Sequence, residues 1–491
     1  MTFRRLVPYL TFLAVLAMAI RPSVDTDTWW HLRAGEWILD HREILREDVF
    51  SLTMRGATWE YPGWLAEIGM AGVHRLAGLA GLSLLTAVAV FAGLSLVWPL
   101  LEGPLLLRSA VLLLAAAASA IYWSARPQIL SFALTGLTLY LLDRAVPRRP
   151  SLWWCLPIVL ALWGNLHGGF ALGLILIATS FLGETFEALV GDPARGVTIR
   201  EAWRGRRRGL AAIAGLGLVS ALAVGLNPFG LDLLAYPWKT VSIGTLQASI
   251  QEWQSPDFHS ASVLPFLVML IALLLSVTGS RRPMTAAEVV RSAAFTALAL
   301  LAARNIASFA LVTAPILSRH LSSTWDRWSP LLRRSRPLPE ALTRPLNLLL
   351  AAFLTVAAAG WAVLQMEPST LQRHVGRLVP EVAFDRLAEQ HPAGNLFHSY
   401  NWGGYVLWRL YPTYPSFVDG RTDVFSGEVL EEYQAAWAAR PAWSHVLDKY
   451  DVDNVLVEPQ APLAEALRLS GWVVTYEDAQ AILLRRPGEG G

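Results

Sequence analysis

The chain has 491 residues, of which 54% are hydrophobic and 16% charged. Soluble domains carry about 25% charged residues, so this composition, with its positive mean hydropathy, excludes an ordinary water-soluble globule. A formal net charge of +2 is too small to imply nucleic acid, and Cys155, the single cysteine, excludes an intrachain disulfide or a thiolate metal site.

Residues Met1 to Ile20 set Arg4 and Arg5 ahead of an apolar run. They read as a signal anchor or as a removable signal peptide, and the many later spans make the anchor the simpler reading. A spanning helix needs about 20 mostly apolar residues. Such segments lie near 6–20, 65–80, 82–101, 107–123, 127–142, 152–164, 167–190, 209–226, 262–279, 286–303, 306–318 and 346–365. Lys and Arg in short loops mark the cytoplasmic side. The markers here are Arg4 with Arg5, Arg144 with Arg148 and Arg149, Arg204 to Arg208, Arg281 with Arg282, and the stretch from Arg319 to Arg336. They put the N-terminus inside, and Asp25, Asp27, "WGNLHGG" (163–169) and the loop from Asn227 to His259 outside. Four apolar segments between outer Trp64 and inner Arg144 must make an odd number of crossings. One of them is therefore re-entrant or part of a longer broken helix. About 11 crossings result, in a multi-pass protein of the plasma membrane.

From Glu367 the pattern changes. Amphipathic helical stretches such as "VAFDRLAEQH" alternate with the strand-like runs "NLFHSY", "PSFVDG", "NVLVEP", "WVVTYED" and "AILLRR". The predicted fold is mainly α: a polytopic transmembrane helical bundle over 1–366, with a first external loop at 21–64, followed by a small extracytoplasmic α/β domain over 367–491. The closing "PGEGG" is expected to be disordered. Twenty-one tryptophans suit interface belts and sugar stacking equally.

The chemistry gathers at the predicted outer face. In "SVDTDTWWHLRAGEWIL" (23–39), Asp25 and Asp27 are two apart, so an extended segment points both to one side. That suits a divalent cation held through oxygen, or one base with a helper. It also suits an Asp or Thr capping the helix that follows. Glu252 in "SIQEWQSPDF" falls on the same face, as a site residue or a solvated loop acid. His167 in "NLHGG" is a candidate ligand contact or a hydrogen-bonded structural histidine, and Asn227-Pro228 reads as a helix stop. No thiolate or paired-His spacing appears, so any metal is an oxygen-bound Mg²⁺ or Mn²⁺ on Asp27 and Glu252. The segment "HSYNWGGYVLW" reads as a strand entering a helix through two glycines. Trp402 and Tyr405 there are candidate sugar-stacking rings, and Asp419 and Arg421 in "FVDGRTD" are either ligand contacts or an internal turn pair.

"DTWWHLRAGEWIL" resembles the first external loop motif of the catalytic subunits of oligosaccharyltransferases: an Asp followed by Pro, two aromatics, Asn, an aromatic and Arg. Asp27, Trp29, Trp30 and Arg33 stand at corresponding places, whereas Thr28, His31 and Leu32 differ. "SIQEWQSP" resembles that family's late external loop motif, with Glu252 at the Glu place. "YNWGGYVLW" with "FVDGRTD" is similar to the Trp-Trp-Asp-Tyr-Gly block of its soluble domain, but lacks the internal Asp. The whole architecture resembles the wider GT-C superfamily of integral membrane glycosyltransferases.

That resemblance implies a hexosyl- or pentosyltransferase that takes its sugar from a polyprenyl-phosphate carrier. The acceptor is a glycan, a lipid or a protein. Asp27 would be the base and Glu252 its partner, with Asp25, Trp29, Trp30 and His167 among the substrate contacts. Arg33, Arg126 and Arg304 are the candidates for the leaving phosphate, whose oxygens suit the guanidinium fork; snorkelling at a helix end is the plain alternative for the last two. The missing Asp argues against sequon recognition. A non-catalytic protein of the same fold, binding polyprenyl lipid or organising polysaccharide assembly, fits the same residues. A transporter fits less well, because it would place ionisable groups in mid-span.

Overall fold

The computed structural model describes residues 1–191, 197–241, 251–332 and 339–487. The chain is mainly α-helical, a multi-pass membrane protein with a small C-terminal sheet. Twelve helices carry the description of its first part. They are α1 (Phe3–Ala19), α2 (Thr28–His41), α3 (Trp64–Val97), α4 (Leu105–Ser119), α5 (Gln128–Tyr140), α6 (Cys155–Leu166), α7 (Phe170–Val190), α8 (Ile199–Val224), α9 (Leu264–Gly279), α10 (Ala286–Leu301), α11 (Ile306–Leu332) and α12 (Glu340–Met366). Among the described residues, six helices are long and apolar enough to cross a membrane. They are α3, α4, α5, α7, α8 and α12, the first three with short extensions. The expected count of about 11 goes beyond what length and composition establish.

The segments expected at 65–80 and 82–101 share one helix, α3, which is broken at Gly78. There φ is 58° and ψ −150°, a backbone region that only glycine enters without strain. The part before the break lies against α2, with Arg75 pairing to Asp40 at 2.8 Å and to Glu36 at 3.9 Å. The part after it packs in the bundle against α1 and α5. Of the two arrangements open in the sequence, this is the longer broken helix.

Contacts sort the helix ends into two groups. At one end Ala125 N–H, between α4 and α5, donates to Ser23 O, beyond α1, at 2.7 Å. Asn165 in α6 meets Trp64 at the start of α3 and Leu226 beyond α8. At the other end Arg282 pairs with Glu102, Arg291 with Asp143 and Arg206 with Glu184. Arg206 and Arg282 are well exposed, whereas Arg291 is mostly buried, where a charge is costly unless it is paired. The basic markers Arg333 to Arg336 lie outside the described residues, as does the tail 488–491.

Beyond α12 the chain forms a four-stranded sheet in the order β1-β2-β4-β3, where β1 is Asn395–His398, β2 Val452–Val457, β3 Val473–Glu477 and β4 Ile482–Arg485. β1 and β2 run parallel; the other pairs are antiparallel. The strand expected at "PSFVDG" is reduced to one bridge, Ser416 with Ser51 of the first loop. The first loop also supplies Trp30, Phe50 and Trp59 to the core that holds Phe397, Phe417 and Val455. Burying these rings against the sheet, at roughly 25 cal/mol per Å², couples the first loop to the C-terminal part.

Candidate functional site

The site is built at the start of α2. Asp25, rather than Asp27, caps this helix: its Oδ1 accepts from Asp27 N–H, Thr28 N–H and the Thr28 hydroxyl, each at 3.1 Å. Its other oxygen lies 2.8 Å from Arg126 Nε. Asp27 Oδ2 accepts from Arg126 Nη1 at 2.6 Å, and Glu252 Oε1 accepts from Arg126 Nη2. One guanidinium therefore joins three carboxylates from two stretches far apart in the chain. The Arg126 side chain is mostly buried, whereas about a quarter of each acid remains exposed.

Asp27 is asymmetric. Oδ2 is held by Arg126, while Oδ1 accepts no hydrogen bond among the described residues. That free oxygen faces Gly420, where an added Cβ would overlap it and crowd Trp30 Nε1. Gly404 likewise lets the C-terminal helix Gly403–Arg409 approach the Thr26 carbonyl. Burial, opposed by Arg126 and reinforced by Asp25 and Glu252, pushes the Asp27 carboxyl up to about 6. Burial also works to raise Glu252, but Arg126 and Arg304 outweigh it and leave that acid below its ordinary value.

Arg304, just ahead of α11, lies over the Trp253 ring, its guanidinium carbon 4.3 Å from the ring centroid. Among the described residues it makes no ion pair. His167 Nδ1 accepts from Gly169 N–H at 2.9 Å and meets the Ser131 hydroxyl at 2.8 Å. Burial and the nearby Arg304 and Arg126 push this imidazole down to about 3, so it is neutral and fixes the turn between α6 and α7.

Other expected contacts lie elsewhere. Arg33 donates to the Tyr411 carbonyl at 3.1 Å and stacks over that ring, away from the three acids. Trp29 packs edge-on against Tyr405, and Trp30 against Tyr61. Trp29, Trp30, Trp402 and Tyr405 are all core residues at 7% exposure or less. The expectation that Trp402 and Tyr405 are open stacking rings gives way to packing, Tyr405 between Trp29 and Phe384, while Trp30 packs on Trp59 and Tyr61 of the first loop. Asp419 and Arg421 are fully buried and paired with each other and with Asp48. They are the internal turn pair, extended by a first-loop acid.

Sequence reasoning missed Glu67, and it read His31 only as a departure from the motif and Asp423 only as part of "FVDGRTD". His31 Nδ1 lies 3.1 Å from Glu67 Oε1, and burial, with Arg126 and His167 close by, holds His31 well below its usual value. Asp423 accepts from Trp59 Nε1 at 3.3 Å and the Tyr236 hydroxyl at 3.4 Å, and burial pushes it up to about 6. Nothing local marks Glu67, since it sits in an apolar helix start. A cavity of about 160 Å³ lies next to Arg126, lined by Leu65, Gly69, Met70, Val73, Leu85 and Ile129 among other apolar groups.

The donor set does not fit a bound divalent metal. Such ions need several oxygens converging at about 2.0–2.6 Å, but these three acids are spread around a planar guanidinium. Among the described residues no group of three acid, imidazole or thiol side chains converges on one point.

No family model matches the chain, and no curated protein matches its sequence. Among solved structures, one similar chain is the archaeal oligosaccharyltransferase AglB from Archaeoglobus fulgidus, in complex with an inhibitory peptide and a dolichol-phosphate. The TM-score is 0.52 at 13% identity, covering 93% of this chain and 70% of that one. Another is ArnT from Cupriavidus metallidurans in the apo state, with TM-score 0.50 and 14% identity over 97% and 96% of the two chains. Both are GT-C glycosyltransferases, and the likeness is one of fold.

Proposed function

We propose that this chain is a membrane glycosyltransferase that moves a hexose or pentose from a polyprenyl-phosphate carrier to an acceptor outside the cytoplasm. The observation that carries the reading is Asp27, with one oxygen anchored on Arg126 and the other beside Gly420, without a hydrogen bond among the described residues. A carboxyl near 6 is ionised at neutral pH, yet basic enough to take a proton in a transition state.

In the reaction, the acceptor hydroxyl gives its proton to Asp27 Oδ1 as its oxygen bonds to the anomeric carbon. The bond from that carbon to the phosphate oxygen breaks, and the electron pair leaves with the carrier phosphate, inverting the centre. Arg304 suits the leaving phosphate better than Arg126, which already carries three carboxylates; Arg fits phosphate in a two-toothed fashion. Glu252 and Asp25 hold Arg126, and through it Asp27. The cavity beside Arg126 suits apolar chain next to the phosphate. AglB, solved with a dolichol-phosphate, supports a lipid-linked donor by analogy of fold.

The same reading divides the chain into a membrane module, 1–366, and an outer domain, 367–491, which completes the site through Gly404 and Gly420. It puts the N-terminus in the cytoplasm, since the arginine markers gather at the bundle end opposite Asp27. Sequon recognition is not part of it, because "NWGGY" lacks the family's acid. The test is Asp27→Asn in membranes supplied with a panel of labelled polyprenyl-phosphate sugars. Transfer is expected to fall by about 10²–10⁴ with the helical content kept. Parent activity left untouched in the variant removes Asp27 as base, and no parent activity with any donor leaves the lipid-binding, non-catalytic reading.

A further inference from the structure

We propose that Arg126 occupies the place of a divalent cation in this site, as a covalently attached counter-ion that gathers Asp25, Asp27 and Glu252. Transfer then needs no divalent metal. The inference rests on the glycosyltransferase reading only for that last consequence.

Two observations carry it. First, the guanidinium engages one oxygen of each acid. Nε meets Asp25 at 2.8 Å, Nη1 meets Asp27 at 2.6 Å, and Nη2 meets Glu252. Each acid approaches a different edge of the plane, so their oxygens stand around a cation several ångströms wide. An ion of Mg²⁺ or Mn²⁺ size would need those oxygens drawn inward to about 2.0–2.2 Å, into space the guanidinium fills.

Second, Arg126 is fixed from both sides. Ala125 N–H is docked on the Ser23 carbonyl at 2.7 Å, two residues before Asp25. Ser124 Oγ accepts from Arg126 Nε at 3.1 Å. Pro127 follows at the entry to α5, where its missing N–H costs nothing and its fixed φ sets the chain direction. A flexible arginine at a helix end would snorkel to solvent; this one is held with its side chain 13% exposed.

The charge count gives the consequence. Three ionised acids and one guanidinium sum to −2, so the cluster tolerates Arg126 and misses it badly when it is gone. Removing the side chain leaves three carboxylates around an emptied centre, with charge and oxygen donors that attract a hard cation.

The experiment uses full-length protein in detergent and Mn²⁺ alone as the probe, read by electron paramagnetic resonance and titration calorimetry. The parent is expected to show no stoichiometric Mn²⁺ site. Arg126→Ala is expected to bind one Mn²⁺ at least about 100-fold more tightly than the parent, and Arg126→Ala with Glu252→Gln to lose that gain. Arg126→Gln, which keeps hydrogen-bonding capacity, serves if the alanine variant does not fold. Where transfer is measurable, a chelator is expected to leave the parent rate within twofold, and Mn²⁺ to restore part of the rate lost in Arg126→Ala. A stoichiometric Mn²⁺ site in the parent that Asp27→Asn or Glu252→Gln abolishes overturns the proposal. So does a folded Arg126 variant with no gain in Mn²⁺ affinity. Neither result depends on transfer, so failure here is distinct from failure of the enzymatic reading.

Discussion

Two arginines in this protein each gather carboxylates, and they differ in almost everything else. Arg421 bonds Asp419 through Nε at 2.8 Å and through Nη2 at 2.7 Å, and reaches Asp48 through Nη1. All three side chains are fully buried. Their remaining oxygens are also used: Asp48 accepts from Phe50 N–H and Ser51 N–H, and Asp419 from Arg421 N–H and Ser416. Burial raises Asp419, but Arg421 and these hydrogen bonds outweigh it and hold the acid below its ordinary value. At Arg126 the acids are part exposed, and among the described residues Asp27 Oδ1 accepts no hydrogen bond. Full burial with every lone pair satisfied makes a staple between the first loop and the C-terminal part. Partial burial with one oxygen unspent leaves a group able to react.

The sharpest way to break this contrast is Arg421→Leu. It strands two buried carboxylates and is expected to cost about 3–5 kcal/mol, read as a large drop in thermal unfolding temperature in detergent. A variant as stable as the parent would show that the staple holds nothing.

Gly420→Ala tests whether the free oxygen of Asp27 needs its space. Overpacking costs about 1–3 kcal/mol, and a carboxylate displaced by about 1 Å lowers transfer by roughly 100-fold. Gly427→Ala, where an added Cβ meets nothing, is the control; equal rates for the two variants would contradict the geometry.

A smaller effect comes from pH. Because the Asp27 carboxyl sits near 6, its basic form is lost as pH falls through that value, and transfer is expected to drop about tenfold per pH unit below it. Asp423 also sits near 6, so the profile is repeated in Asp423→Asn. A limb that disappears there belongs to Asp423. The smallest expected change is Arg33→Gln, which loses one carbonyl hydrogen bond worth about 1 kcal/mol and leaves transfer intact. A tenfold loss of transfer would put Arg33 back in the site.

Local signals carried the reading some distance. "SARPQ" shows an arginine followed by a helix-starting proline, and "QEW" an acid in a loop. Both reach the Asp27 cluster because the charge markers put them at the same end of the bundle. The aromatic stretch at 29–30 and "NWGGY" misled, since a ring destined for a core and a ring destined for sugar have the same composition. Asp48 carried no local signal at all, as its partner Arg421 stands 373 residues away in the chain.

Hydropathy, arginine placement and turn residues are local quantities, and they suffice to determine a lipid-embedded helical bundle, a small C-terminal α/β part, and acids at one end. Which acid meets which cation is decided only by tertiary packing. Ion pairs form between side chains that the fold brings within about 3 Å, and chain separation places no mark on either partner. The break at Gly78, the turn of Arg33 toward Tyr411, and the joining of three carboxylates on Arg126 were all settled at that level.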